Sequence, residues 1–265
     1  MITTDSVPGS PAWLDLAVRD TDAAAAFYGR VFGWELLPLG PDAGGYGFLR
    51  LDGATVAGLG ALTEDGARPA WTVYFRVRDA DLAARSVEQR GGTVRVAPTD
   101  VGGRGRLAQF SDPQGGRFAV WQPGETAGLD TVDRPGSLTW TELCTPDAGG
   151  AKAFYGGLFG WATQDMPMPG DGEGTYTLLS PEGGGEELMF GGLVELPAEY
   201  LAGTGGAAYW HPVFGTDDCD AALDRVRAGG GSVRMGPDDA EGVGRIAVCD
   251  DPAGAEFVVL QPPAG

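Results

Sequence analysis

The 265-residue chain contains one histidine, His211. Alternation along its segment sets it on one face with Val213 and Gly215. The same rule applied to Trp140-Thr-Glu-Leu-Cys144 groups Trp140, Glu142 and Cys144. A carboxylate facing an imidazole across neighbouring strands can orient its tautomer and raise its basicity. Glu142 and His211 are therefore the acid–base pair this chain offers. A second group carries less charge chemistry and more surface: Trp13 with Asp15, then Thr72, Tyr74 and Arg76, then Trp121. Indole walls with a few polar points suit a planar organic molecule held by stacking. Other chemistries find no support. No serine–histidine–aspartate set is apparent. Gly102-Gly-Arg-Gly and Glu182-Gly-Gly-Gly lack the Lys-Ser/Thr of a phosphate cradle and read as turns. Cys144, Cys219 and Cys249 have no paired spacing and read as reduced thiols.

The elements that must position these residues come from a repeat. Trp13-Leu-Asp-Leu and Trp140-Thr-Glu-Leu each open a segment that runs into Ala-Phe-Tyr-Gly and Phe-Gly-Trp, at an offset of 127 residues. Later landmarks, Trp71 with Trp210 and Asp112-Pro-Gln-Gly with Asp251-Pro-Ala-Gly, lie 139 apart. The second copy thus carries extra residues, expected in Asp165–Gly174 and Gly183–Glu187. Each copy divides again. A strand over Ala12–Val18 precedes a helix capped by Asp20, with Phe27, Val31 and Phe32 on its apolar face. A strand over Trp71–Val77 precedes a helix over Asp79–Gln89 that is stopped by Gly91-Gly92. The chain therefore reads as four βαβββ units of an α+β protein: a tail over 1–10, a domain over 11–122, a linker over 123–137 and a domain over 138–265.

A strand ending in aspartate, a helix with Phe-Tyr and a following Phe-Gly-Trp, together with Asp-Pro-x-Gly before the last strand, resemble the vicinal-oxygen-chelate superfamily of glyoxalases, bleomycin-resistance proteins and extradiol dioxygenases. Both motifs occur in both halves, so the resemblance covers nearly the whole chain. It implies two domains, each an open, cup-shaped mixed sheet. Whether each cup forms within one half, or from units one with four and two with three, stays open. The resemblance also implies metal ligands at set positions, carried here by Trp13, Thr72 and Ala119 and by Trp140, His211 and Val258. Five of these six do not supply a ligand of the His, Asp, Glu or Cys type. No metal and no other cofactor is expected.

With 18 basic and 37 acidic residues, the formal charge of −19 argues against nucleic acid and anionic membranes as partners. No apolar run approaches the roughly 18 residues of a membrane span, and Met1–Ser10 does not read as a secretory signal, so a cytoplasmic protein is expected. The expected partner is a small aromatic metabolite or antibiotic, contacted by Trp13, Asp15, Thr72, Tyr74, Arg76, Trp121, Trp140, Cys144 and Val258. The role would be sequestration, resistance or accessory service in biosynthesis. The alternative is a cofactor-free tailoring enzyme (isomerase, lyase or hydroxylase-like) using Glu142 and His211. A third reading makes one domain structural, present to pair sheets or to form a homodimer.

Overall fold

A computed structural model describes residues 2–64, 66–168 and 174–263. Its strands form two open eight-stranded mixed sheets, one from each half of the chain. The first runs β2 (Glu35–Pro38), β3 (Gly47–Leu51), β4 (Ala54–Ala61), β1 (Pro11–Val18), β5 (Ala70–Arg76), β8 (Arg117–Pro123), β7 (Gly105–Ser111), β6 (Thr93–Asp100). The second repeats that order with β10 (Ala162–Pro167), β11 (Thr175–Ser180), β12 (Gly191–Glu195), β9 (Leu138–Thr145), β13 (Tyr209–Gly215), β16 (Glu256–Gln261), β15 (Gly244–Asp250) and β14 (Ser232–Ala240). In each unit the first strand pairs in parallel with the last, as β1 does with β4 and β13 with β16, while the hairpins are antiparallel. The question left open by the sequence is answered for the sheets: each belongs to one half.

Four helices follow the first strands: α1 (Thr21–Phe32), α2 (Ala80–Gln89), α3 (Ala148–Phe159) and α4 (Cys219–Ala228). Each starts for the same reason. An extended aspartate (Asp20, Asp79, Asp147 or Asp218) accepts a backbone N–H from the first turn with its carboxylate. α1 and α3 end at Gly33 and Gly160, whose left-handed φ of 76° and 73° reverses the chain without a Cβ clash. That reversal lays Trp34 on Tyr28, with centroids 5.3 Å apart and planes at 16°, and Trp161 on Tyr155 at 5.0 Å and 15°.

Packing divides the chain differently from the sheets. One compact unit comprises Met1–Trp13, Val73–Gly128 and Trp140–Trp210; the other comprises Leu14–Thr72, Leu129–Thr139 and His211–Gly265. Within the first, Phe75 and Phe118 meet Phe159 of α3, and Phe75 also meets Trp161. Within the second, Phe32 and Trp34 meet Phe214, and Arg225 of α4 donates to the carbonyl of Val31 at 2.9 Å. The connecting segment is divided between them, and from Leu129 on it is built into the second unit: Leu129 is buried and Asp130 accepts the Thr55 N–H at 2.9 Å.

Two buried polar chains explain the repeated Trp, Phe-Tyr and Asp-Pro-x-Gly signatures. Trp210 Nε1 donates to Tyr155 Oη at 2.9 Å, which donates to Asp112 Oδ2 at 2.9 Å. The other oxygen of Asp112 takes the N–H groups of Gln114 and Gly116 at 2.9 and 2.7 Å, closing the turn. The counterpart runs from Trp71 through Tyr28 to Asp251, which closes its own turn on Ala253 and Ala255. Buried polar groups are costly unless satisfied, so each chain demands all three members.

The extra residues of the second half are spread more widely than expected. The offset is 130 at Tyr46 and Tyr176, 134 at Gly58 and Gly192, and 139 at the starts of β5 and β13. Residues 169–173, inside the first expected insertion, lie outside the described residues. The last increment falls between β12 and β13, a stretch the sequence reading did not single out, and it carries the fully buried Leu201.

Tyr155→Phe orphans the indole N–H of Trp210 and one oxygen of Asp112, so urea denaturation should register a loss of about 1–3 kcal/mol. Burial raises the carboxyls of Asp112 and Asp251 above the usual carboxylate range. The native chain then holds protons that the unfolded chain releases, so this contribution to stability declines as pH rises from the unfolded carboxyl value toward the native one. Asp251→Asn cannot titrate. Denaturation at a series of pH values should therefore show the difference between the two proteins moving in the variant's favour as pH rises through that window.

Candidate functional site

The face of each sheet opposite the helices carries the residues singled out above. In β1, Leu14, Leu16 and Val18 are fully buried, while Asp15 and Ala17 are half-exposed on the other side. In β9, Glu142 is half-buried between the buried Thr141 and Leu143. The alternation expected from sequence sets Trp140, Glu142 and Cys144 together on this cup face.

Glu142 is held by a residue the sequence reading missed. Tyr176 of β11 donates its hydroxyl to Glu142 Oε1 at 2.8 Å and accepts Trp140 Nε1 at 3.0 Å. The first half repeats the arrangement: Tyr46 donates to Asp15 Oδ1 at 2.5 Å. Both tyrosines need room above the strand that lies between them and the carboxylate. Gly58 is the register partner of Asp15, and Gly192 that of Glu142. A Cβ at Gly58 would fall inside the van der Waals radius of Tyr46 Oη, and one at Gly192 inside that of Tyr176 Oη. The signal was present in the sequence, since Tyr46 and Tyr176 occupy equivalent places in the repeat, but no periodicity rule marks a tyrosine as the partner of a carboxylate two strands away.

His211 is 3% exposed, and its Nδ1 lies 2.7 Å from Glu256 Oε1. The sequence reading gave the orienting role to Glu142; the carboxylate at Nδ1 is Glu256, from the last strand of the same unit. With the ring proton on the nitrogen facing Glu256, Nε2 carries the basic lone pair. Among the described residues, one group of three metal-capable side chains comes together: Glu142, Cys144 and His211, whose ligand atoms all lie within 4.8 Å of one another.

The remaining expected contacts are distributed unevenly. Cys144 does not face open space: it packs with Val194 and Leu201, the latter from the inserted stretch, and with Met168 and Tyr176 around them. Val258 is 2% exposed beside Val213. In the first half, Trp13 and Trp121 are each 7% exposed. Trp121 Nε1 is pinned to the Thr126 carbonyl at 2.9 Å, and Gln109 donates to the buried Tyr74 hydroxyl at 3.4 Å. Thr72 is half-exposed, and Arg76 NH1 reaches Ser6 Oγ at 3.3 Å.

These features sit in a recognisable frame. A family model described as the glyoxalase/bleomycin resistance protein/dioxygenase superfamily matches residues 10–120 and 137–259. The chain belongs to that superfamily. Within it, the chain is 38% identical to an anthracycline biosynthesis protein, DauV, of Streptomyces sp. strain C5, over 97% of this chain and 95% of that one. It is 37% identical to the anthracycline biosynthesis protein DnrV of Streptomyces peucetius, with the same coverage. Its fold matches the Mn(II)-bound glyoxalase of Novosphingobium aromaticivorans with a TM-score of 0.61 and 20% identity, covering 97% of this chain and 83% of that one. No helix among the described residues is long and apolar enough to cross a membrane.

Of the six positions at which superfamily resemblance implies metal ligands, that of His211 alone carries a side chain of the His, Asp, Glu or Cys type. Trp13, Trp140, Ala119 and Val258 offer no donor, Thr72 only a neutral hydroxyl, and His211 stands alone among them.

The thiols are poor nucleophiles for the same reason that they are hidden. All three are buried; burial raises Cys219 and pushes Cys249 up to about 12. A disulfide-exchange reagent at neutral pH should label none of the three in the native chain within minutes and all three in guanidinium. Fast native labelling of Cys144 would show that Leu201 does not cover it.

Proposed function

We propose that this protein binds a small, planar aromatic metabolite on the cup face of its sheets, as an accessory to natural-product biosynthesis or as a sequestering protein, without a metal at the superfamily's ligand positions. Two anthracycline biosynthesis proteins as its relatives support the first role. The observation that carries the reading is the Trp140–Tyr176–Glu142 chain, in which a half-buried indole and a carboxylate are fixed side by side. The indole supplies a flat apolar wall and the carboxylate a directional acceptor, which together orient a ring bearing a hydroxyl or amine.

The His211–Glu256 pair favours a second, enzymatic reading. A buried imidazole whose Nδ1 is held by a carboxylate can take a proton at Nε2 from carbon or oxygen next to a carbonyl and return it elsewhere, which is the chemistry of an isomerase or a lyase.

Tryptophan quenching by an anthraquinone titrant should saturate, and EDTA should leave the curve unchanged. Trp140→Ala should weaken binding about tenfold, in line with the loss of one stacking wall. Stoichiometric transition metal in the purified protein, lost in His211→Ala, would end the metal-independent reading. If a product forms, His211→Ala should lower turnover by about a hundredfold or more while the quenching curve stays in place. Equal losses in both would assign His211 to binding.

A further inference from the structure

The connection between β12 and β13 is longer than its counterpart in the first half. Sheet order puts β9 between those two strands, so the chain must cross β9 to join them. It does so with residues 196–208, where the first half uses 62–69. From Pro197 to Gly206 every residue except Leu201 is exposed, and Leu201 is 0% exposed. Its seat is Cys144 of β9 and Val194 of β12, which are register partners, with Met168, Tyr176, Leu196 and Tyr209 packed around them. The equivalent partners in the first half, Ala17 and Gly60, are smaller and half-exposed. Latch and seat therefore belong to the second half as a matched set.

The backbone of this segment closes on itself. Tyr200 N–H donates to the Pro197 carbonyl at 3.0 Å and Leu201 N–H to that of Ala198 at 3.2 Å. The Leu201 carbonyl takes the N–H groups of Thr204 and Gly206 at 3.0 and 2.9 Å. Thr204 Oγ1 donates to the Ala207 carbonyl at 2.6 Å. Two bonds tie its ends to the frame: Leu196 N–H to the Thr145 carbonyl at 2.9 Å, and Ala208 N–H to the Gln114 carbonyl at 3.0 Å. A compact loop of this kind can move as one body, because its own bonds survive the motion. The motion must undo the burial of one leucine, a small part of what global unfolding exposes. Lid, seat and tethers all lie within the first compact unit.

We infer that residues 197–207 are a lid hinged at Leu196 and Ala208, that Leu201 is its latch, and that the lid opens locally without unfolding the chain. The latch packs beside Tyr176, which holds Trp140 and Glu142. Lifting it bares Cys144 and Val194 next to that group, so ligand entry competes with the closed latch. This last step, the gating, rests on the aromatic-ligand reading above.

Thiol labelling with methyl methanethiosulfonate over hours, at urea concentrations below the unfolding transition, tests the motion on the unaltered chain. Cys144 should react about tenfold or more faster than Cys219 and Cys249. Its rate should scarcely change with urea, because lid opening exposes little surface. Leu201→Ala should raise the Cys144 rate by about a further tenfold, and slow labelling of the other two thiols shows that the variant is folded. Stopped-flow quenching with the anthraquinone titrant reads the gating. Leu201→Ala should associate faster and bind severalfold more tightly, which removal of a leucine that merely packs would not produce. A Cys144 no faster than the other two, with the same urea dependence, would overturn the lid and leave the proposed function standing. Local opening with association and affinity unchanged or weakened in Leu201→Ala would overturn the gating. Local opening without quenching in either protein would overturn the aromatic reading and the gating with it, while the lid stands.

Discussion

A buried aspartate that satisfies a turn with one oxygen and a tyrosine with the other underlies the fold. Asp112 and Asp251 each terminate a chain of donors that begins at an indole N–H and passes through a phenol. Each chain ties a turn before the last strand of one βαβββ unit to the first helix of another. Asp112 belongs to the second unit and Tyr155 to the third, while Asp251 belongs to the fourth and Tyr28 to the first. Burial disfavours charge on these groups, so the links hold only with every partner in place. The aromatic residues around them then pack by edge and face rather than as an undirected apolar mass.

This arrangement separates two tasks. The helix side of each sheet is committed to the interior, where Phe75, Phe118, Phe214 and Phe257 are almost completely excluded from solvent. The opposite side keeps half-exposed carboxylates and hydroxyls, which a core could not tolerate without partners. The same donor chain recurs on the first side in both halves. The second side departs from the repeat at His211, Glu256 and Cys144, which stand where the first half has Thr72, Arg117 and Ala17.

The inserted stretch between β12 and β13 adds packing that alternation alone does not foresee. Leu201 closes over Cys144 and Val194. Glu142 with Tyr176 and His211 with Glu256 are hydrogen-bonded pairs, while the cysteine is a packing residue.

Much of the fold was legible without coordinates. The aspartate caps, the glycine stops, the period-two strands and the repeat depend on interactions within a few residues of one another, and local chemistry specifies them. The helix-facing sides of β1 and β5 followed from the same alternation. The sequence also excluded most metal ligands at the superfamily's positions, since residue type alone decides that. It did not reveal that sheets form within each half while the buried donor chains join units two with three and one with four. It did not give Glu256 to His211 or Tyr176 to Glu142, nor show Leu201 over Cys144. Those pairings join residues 34 to 57 positions apart in sequence, and strand order, register and an inserted loop brought them together. A side chain's type records what it can bond to; only the folded backbone chooses the partner.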